Sequence, residues 1–454
     1  MSTAMSWKET DVDTPEKRGK YTVSIIGCGK TGLSTACLFA EAGFKTIGVD
    51  SNPYIISLIK KGKTSFVEPE LSKLIKKHAK GERLTVTNQI KEAVSKSDVI
   101  IFAFSTSIDQ KKKPDYSNIE KACKEMGMGL RSGSLVIVES AVGPGATETF
   151  FKESLEKASG LKAGTDFALA YSPINALPHY TFQDIATRPR VVGALNEQNL
   201  KAACLVLNLI IKAEIIRVRN IKPAEAINLF KSVYEDVNNA LANELAHFCE
   251  KAGIDFLESQ KAMSTNLPRS MPIPDVTTRY FSPEPYLLFE EAENTDAELR
   301  LATQARKINE EMLNRTIHLT RDVLKSCGKT VRRARISVLG VSSRANVKEV
   351  NHFFVKNLVT ALSKNGARVR VYDPFFSPKE LAELDYQFER TLGKSVEGAD
   401  CLLIVVGHDR FKRLNLGRIK FLVRKPAAIV DVCNAVDPDY ARKEGFTYRG
   451  IGRG

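Results

Sequence analysis

Gly27-Cys28-Gly29-Lys30-Thr31-Gly32 carries the clearest chemistry in this sequence. It follows an apolar run, Tyr21 to Gly27 (YTVSIIG), that reads as a buried strand, and it opens a helical pattern from Thr31 to Ala42. In that setting each glycine has a task. Gly27 permits a tight turn, Gly29 lets the backbone approach a pyrophosphate, and Gly32 lets helix and strand pack closely. The N–H groups of the helix start then face the anion. A second strand, Lys45 to Val49, ends at Asp50, about twenty residues beyond the glycines. An acid there accepts hydrogen bonds from both ribose hydroxyls and repels a 2′-phosphate, which selects NAD over NADP. Strand, turn, helix and acid together outweigh a structural glycine turn with an incidental Asp. Cys28, inside the loop, is expected to be tolerated there rather than reactive.

The elements that must position this loop alternate. Asp98 to Phe104 and Ser134 to Val138 read as further strands with helical segments between them, which means a parallel sheet covered on both faces. The middle of the chain differs. Pro223 suits a helix start, and no Gly or Pro interrupts the pattern until Gly253. Ile227, Phe230, Tyr234, Val237, Leu241, Leu245 and Phe248 recur three or four apart as one apolar stripe. A core helix and a spine shared between subunits both fit that stripe. Pro268, Pro272, Pro274, Pro283 and Pro285 mark an irregular loop. Glu290 to Lys325 is again helical, and from Val331 strand and helix patterns resume: Ala334 to Gly340, Val347 to Ser363, Arg368 to Tyr372, Cys401 to Val406 and Ala427 to Asp431. The expected fold class is α/β: an N-terminal Rossmann domain over 21–212, a central long-helix domain over 213–330 and a C-terminal Rossmann-like domain over 331–454. The two α/β parts resemble each other in type, not in sequence.

Composition sets the bounds. A 454-residue chain with 43% hydrophobic and 26% charged residues is a soluble globular protein of two or three domains. No apolar run approaches the roughly 18 residues a membrane span needs, so no membrane partner is expected. Met1 to Lys20 is polar and reads as a mobile tail rather than a signal peptide. The eight cysteines form no CxxC pair and no metal-ligand spacing with histidine, which points to a reducing, cytoplasmic setting without a metal. The net charge of +14 is spread out, its tightest clusters being Lys111-Lys112-Lys113 and Arg332-Arg333 without interleaved aromatics. A basic solvated surface is the preferred reading, and a nucleic-acid partner the weakest.

Motifs in order along the chain resemble the UDP-sugar 6-dehydrogenases, a family that also includes GDP-mannose dehydrogenase. The likeness runs from about Tyr21 to Gly454. It rests on the glycine loop, on Asp50 to Leu71 with Gly62 and Glu68-Pro69, on Thr106 in the place of a Pro-Thr-Pro turn, and on Ser140 to Thr147 (SAVGPGAT). It continues through Arg190 to Gly193, Ala224-Glu225, Ala242-Asn243-Glu244, Asp373-Pro374, Gly398-Ala399-Asp400 and the closing Tyr448 to Gly452. The resemblance implies NAD as cofactor, a nucleotide sugar as ligand, and a homodimer or heteromer formed through the helix 223–251. It adds Thr106 and Ser140 to the cofactor residues Gly27, Cys28, Gly29, Lys30, Thr31, Gly32 and Asp50. It also implies oxidation of a sugar alcohol to a carboxylate in two steps, by a cysteine that traps the aldehyde, a lysine and an asparagine that hold oxyanion charge, and acidic groups that move protons.

The sequence departs from that chemistry. Thr277-Thr278-Arg279-Tyr280 stands where the family has Gly-Gly-His-Cys, and no cysteine occurs between Cys249 and Cys327. Asn228 stands in the lysine's place, Ser232 in the asparagine's and Ile174 in the glutamate's. Lys348-Glu349-Val350-Asn351 replaces an Asp-Asp-x-Arg group, while Glu284 keeps an acid where the family has aspartate. Tyr280, Glu284 and Thr106 are the remaining catalytic candidates, and His179 is a loose one. Arg279 beside Tyr280 could lower the phenol's pKa, although a Tyr280 that plugs the old pocket is preferred. Two readings stay open: a two-electron oxidoreductase, and a non-catalytic NAD-binding partner protein.

Overall fold

Runs of Val, Ile, Leu, Phe and Cys with every side chain buried form the middle strands of two mainly parallel sheets, each covered on both faces. The computed structural model describes residues 7–66, 68–104, 106–109, 111–174, 182–265, 271–276, 283–348, 353–378, 380–381 and 387–453. Tyr280, Arg279, His179 and Glu349 to Asn351 lie outside the described residues.

The first ten strands are β1 (Thr22–Ile26), β2 (Lys45–Val49), β3 (Leu84–Thr87), β4 (Val99–Phe102), the short hairpin β5 (Ser107–Ile108) and β6 (Pro114–Asp115), β7 (Leu135–Val138), β8 (Ala168–Tyr171), β9 (Arg190–Ala194) and β10 (Ile215–Arg217). Eight of them make one sheet in the order β10-β9-β8-β7-β4-β1-β2-β3. All neighbours in it are parallel except β8 and β9. The order reverses at β1, so the carboxyl ends of β1 and β4 flank the crevice where such sheets bind ligands. The second sheet has β11 (Arg335–Leu339), β12 (Arg368–Tyr372), β13 (Gln387–Phe388), β14 (Cys401–Ile404), β15 (Ala427–Asp431) and β16 (Phe446–Gly450), in the order β13-β12-β11-β14-β15-β16. The chain forms two compact units, Met1–Ser232 with Pro283–Glu298, and Val233–Ser282 with Leu299–Gly454.

The two sheets share more than type. Gly27 and Gly340 both end a first strand at φ +106°. Asp50 follows β2 and accepts from Cys28 N–H; Asp373 follows β12 and accepts from Val341 N–H and Ser342 N–H. Asp98 precedes β4 and accepts from Thr22 N–H at 2.8 Å, and Asp400 precedes β14 and accepts from Arg335 N–H at 2.8 Å. The same backbone solution is built twice.

Several boundaries shift from the sequence reading. The segment expected to be a mobile tail is folded from Trp7 onward. Trp7 packs against the Tyr21 ring at 4.1 Å, and Arg18 donates to the carbonyls of Val12, Asp13 and Ala42. The helical stretch after the proline-rich loop is two helices, Glu284–Asn294 and Arg300–Ser326. The helix expected from Val347 is Phe354–Lys364.

The central helix, Ile221–Ala252, corrects the core reading of its stripe. Phe230, Tyr234, Leu241 and Phe248 are 58%, 53%, 45% and 61% exposed, and Ile227 is exposed with them. The buried face carries Ile221, Leu229 and Cys249 together with many small and polar residues: Ala224, Glu225, Ser232, Asp236, Asn239, Asn243 and Ala246. The polar ones in the second unit are satisfied from the Arg300–Ser326 helix. Arg306 pairs with Asp236 at 3.1 Å, and Asn309 donates to the Asp236 side chain at 2.8 Å while accepting from Asn243 at 3.0 Å. Asn243 also accepts from the Asp275 N–H at 3.2 Å. Buried polar groups are tolerated when paired in this way, so Phe230, Tyr234, Leu241 and Phe248 can face outward.

Candidate functional site

The glycine loop does what its spacing demands. A Cβ on Gly27 would lie 2.7 Å from the Phe104 ring, and one on Gly32 would lie 1.9 Å from the Gly27 carbonyl oxygen. A Cβ on Gly29 would meet nothing within 4 Å. The outer two glycines therefore serve the protein's own packing, and the middle one leaves space. Gly29 caps the Lys30–Ala42 helix without a side chain, so the positive end of the helix dipole faces the space over the loop, where an anion is favoured. These residues fit a dinucleotide pyrophosphate. Asp50 is fixed beside them: its carboxylate accepts from Cys28 N–H at 3.0 Å and from Asn52 N–H at 2.8 Å. Two oriented oxygens with remaining lone pairs suit a ribose diol. Lys30 reaches back to Glu68 at 3.1 Å.

Cys28 is fully buried, with its thiol directed at the Val49 carbonyl. Burial, with the Asp50 carboxylate nearby, raises its pKa far above the usual thiol range. That is the environment of a small buried hydrophobe rather than of a nucleophile.

Thr106 and Ser140 stand on the neighbouring strand ends. The Thr106 hydroxyl donates to the Ala141 carbonyl at 2.5 Å and the Ser140 hydroxyl to the Phe102 carbonyl at 3.4 Å. Glycine loop, Asp50, Thr106 and Ser140 thus all sit at the carboxyl ends of β1, β2, β4 and β7.

Three groups that the sequence reading left unassigned frame this arrangement. Glu139 forms a fully buried ion pair with Arg190. Its second oxygen accepts from the Thr35 hydroxyl on the glycine-loop helix at 3.3 Å. Arg190 also donates to the Ser172 hydroxyl at 3.1 Å. Glu225, at the start of the central helix, accepts from Gly145 N–H and, at 2.8 Å, from Thr147 N–H, and so ties down the SAVGPGAT loop. Burial pushes its carboxyl up to about 7, against the pull of those N–H donors. Tyr171 closes β8 with a buried hydroxyl; burial first, then the carboxylates of Glu225 and Glu284, raises its pKa. Glu284 opens the Glu284–Asn294 helix of the same unit. A crevice of about 280 Å³ runs between Tyr116, Gly143, Gly145, Lys222 and Glu291. A larger one of about 920 Å³ lies beside Trp7, Lys201 and Arg217, away from the glycine loop. Arg190 was legible only as the start of the Arg190 to Gly193 motif and Glu139 not at all, because nothing in their separation of 51 positions announces a pair.

Among the described residues no cluster of His, Cys, Asp and Glu could hold a metal, and no helix is long and apolar enough to cross a membrane.

A glycine loop of this geometry at the reversal point of a parallel sheet, with an acid fixed after the second strand, defines an NAD-binding Rossmann protein. Three family models match in order: the NAD binding domain of the UDP-glucose/GDP-mannose dehydrogenase family over residues 21–209, its central domain over 222–311 and its UDP binding domain over 337–438. The chain belongs to that family, and NAD is its cofactor. It is similar to a UDP-N-acetyl-D-mannosamine dehydrogenase from Pyrococcus horikoshii, with 29% identity over 95% of this chain and 99% of the relative. The solved structure of a UDP-D-ManNAc dehydrogenase from that organism superposes with a TM-score of 0.86 at 28% identity, covering 95% of this chain and 99% of the other. An NDP-N-acetyl-D-galactosaminuronic acid dehydrogenase from Methanosarcina mazei Go1 superposes at 0.80 with 26% identity, over 97% and 98% of the two chains.

Proposed function

We propose that the chain is an NAD-dependent oxidoreductase of the nucleotide-sugar dehydrogenase family that has given up the second, thioester-forming oxidation. The observation that carries this is the thiol. Cys249 and Cys327 bracket a segment with no cysteine, and both are themselves buried. Without a thiohemiacetal the aldehyde has no covalent route to a second hydride. The place of the lysine is taken by half-buried Asn228 and that of the asparagine by buried Ser232, neither of which brings a charge to an oxyanion. NAD, when bound, supplies the acceptor for a hydride. In this reading the glycine loop and Asp50 orient it, and Thr106 and Ser140 border it. Tyr280 or Glu284 takes the alcohol proton in a single two-electron step. The UDP binding domain match supports a nucleotide sugar as the ligand. A cytoplasmic location belongs to the same reading, since all eight cysteines are free thiols.

The test is stoichiometric. Purified protein is mixed with NAD and a panel of UDP- and GDP-sugars, and NADH is counted per sugar consumed. One NADH per sugar is the expected result. Two would restore the family reaction and refute the lost-thiol argument. None from any sugar, with NAD binding verified in the same sample, would favour a non-catalytic partner protein.

The exposed stripe of the central helix supports a subunit contact under either reading. Phe230, Tyr234, Leu241 and Phe248 form an apolar seam that one chain leaves in water. It fits a second subunit, either a copy of this chain or an active relative. Tyr234→Asp with Phe248→Asp is expected to halve the solution mass measured by light scattering while leaving NAD binding intact. An unchanged mass would remove the seam as the contact.

A further inference from the structure

Cations from three separate stretches of sequence meet at the amino ends of the second sheet's strands. Arg332, Arg333 and Arg335 lead into β11, Lys364 and Arg368 into β12, and Arg418, Lys420, Arg424 and Lys425 precede β15. The backbone joins them. Arg333 N–H donates to Gly366 O at 2.7 Å, Gly398 N–H to Leu422 O at 2.6 Å and Arg424 N–H to Ala399 O at 2.9 Å. Lys329 reaches the Arg424 carbonyl at 2.7 Å. The acids here are largely engaged: buried Asp400 holds Lys329 at 2.8 Å and Arg424 at 3.7 Å, and Glu444 holds Lys420 at 2.8 Å. Glu397 is exposed beside them, as are Arg332, Arg333, Lys364, Arg368, Arg418, Arg424 and Lys425. Helix C-termini attract cations, which accounts for Lys364 at the end of its helix but not for the loop arginines. Arg333 is even held at φ +68°, where glycine or asparagine would cost less.

At the tip of this pole Phe421 is 78% exposed and its neighbour Leu422 43%. Lys420 and Lys425 hold their ammonium groups 5.5 and 5.9 Å from the Phe421 ring centroid. We propose that this pole docks on an anionic bilayer surface. Phe421 and Leu422 enter the boundary between headgroups and acyl chains, while the surrounding guanidinium and ammonium groups pair with lipid phosphates and carboxylates. Charge complementarity calls for an anionic partner, and the tip selects the bilayer. A stacked base would displace the ammonium groups already over the Phe421 ring and would leave Leu422 in water, whereas a bilayer interface takes both side chains with their cations in place. The absence of a spanning segment, on which the expectation of no membrane partner rested, has no bearing on interfacial docking.

The test is cosedimentation of the full chain with vesicles at about 0.15 M ionic strength, where surface charge acts over roughly 8 Å. Sedimentation with mixed phosphatidylcholine–phosphatidylserine vesicles, and not with phosphatidylcholine alone, is expected. Arg332→Glu with Arg368→Glu and Lys425→Glu should lower the partition by roughly a hundredfold. Phe421→Ser with Leu422→Ser should weaken it at unchanged charge. A far-UV circular dichroism spectrum and a thermal unfolding profile like those of wild type confirm that each variant is folded. Wild-type protein that stays in the supernatant with phosphatidylserine present would overturn the proposal. So would a tip variant that sediments like wild type, or binding to homopolymeric RNA in place of vesicles.

Discussion

Gly29→Ala is expected to leave the fold intact and remove NAD binding, whereas Gly32→Ala is expected to damage both. The two positions differ in what a methyl group would touch. At Gly29 the protein offers no atom within 4 Å, so the only thing the new carbon can strike is a ligand drawn close to the backbone. At Gly32 the new carbon would lie 1.9 Å from the Gly27 carbonyl oxygen, a backbone atom that cannot swing aside. Relief there requires the helix Lys30–Ala42 to lift from β1, which disturbs the loop and the core beneath it. For Gly29→Ala, calorimetry should show NAD affinity lower by about a hundredfold or more, which is about 3 kcal/mol, at an unchanged thermal midpoint. For Gly32→Ala the midpoint should fall as well. A Gly29→Ala protein that binds NAD like wild type would mean that the pyrophosphate does not pass over this loop.

That contrast also explains why the cofactor half of the molecule was legible in the sequence. Strand, turn and helix lie within about twenty residues, and Gly32 answers to the Gly27 carbonyl five positions back. Information of longer range was not legible. The central-helix periodicity identified an amphipathic helix, yet a stripe has no sign. Only Arg306 and Asn309, some seventy positions away, show that the polar face is the buried one. The charge pattern is of the same kind: Arg332-Arg333 and Arg424-Lys425 are about ninety positions apart in sequence, and only the order β11-β14-β15 brings the starts of their strands to one end of a sheet. The tail was misjudged from composition, because a single tryptophan among polar residues is enough to anchor it when Tyr21 and Phe44 wait on the other side. The likeness of the two α/β parts is likewise visible only in backbone terms. Asp50 and Asp373, and Asp98 and Asp400, hold equivalent N–H groups from places that no shared local motif marks.

The second large effect is expected from the Glu139–Arg190 pair. Both side chains are buried, each at 2% exposure or less, so each charge exists there only because of the other. Burial raises the glutamate's pKa and lowers the arginine's, and their mutual attraction opposes both shifts. Arg190→Met leaves a carboxylate in the core with only the Thr35 hydroxyl, and the loss should be about 3–5 kcal/mol. The protein carries its own reporter for this. Trp7 is the single tryptophan, packed against Tyr21 and Phe44 of the first unit, so its fluorescence follows that unit's unfolding in guanidinium chloride. Adding Glu139→Met to Arg190→Met removes the stranded charge, and most of the stability should return, since a buried pair and an apolar pair of similar volume are often nearly equivalent. The function need not return with it. Glu139 also holds Thr35 on the glycine-loop helix, and methionine cannot accept that hydroxyl proton as strongly. The double variant is therefore expected to fold like wild type and to bind NAD more weakly. Restored stability together with wild-type NAD affinity would make the pair purely structural. A double variant as unstable as Arg190→Met would mean that the pair's value lies in its geometry and not in the cancellation of charge.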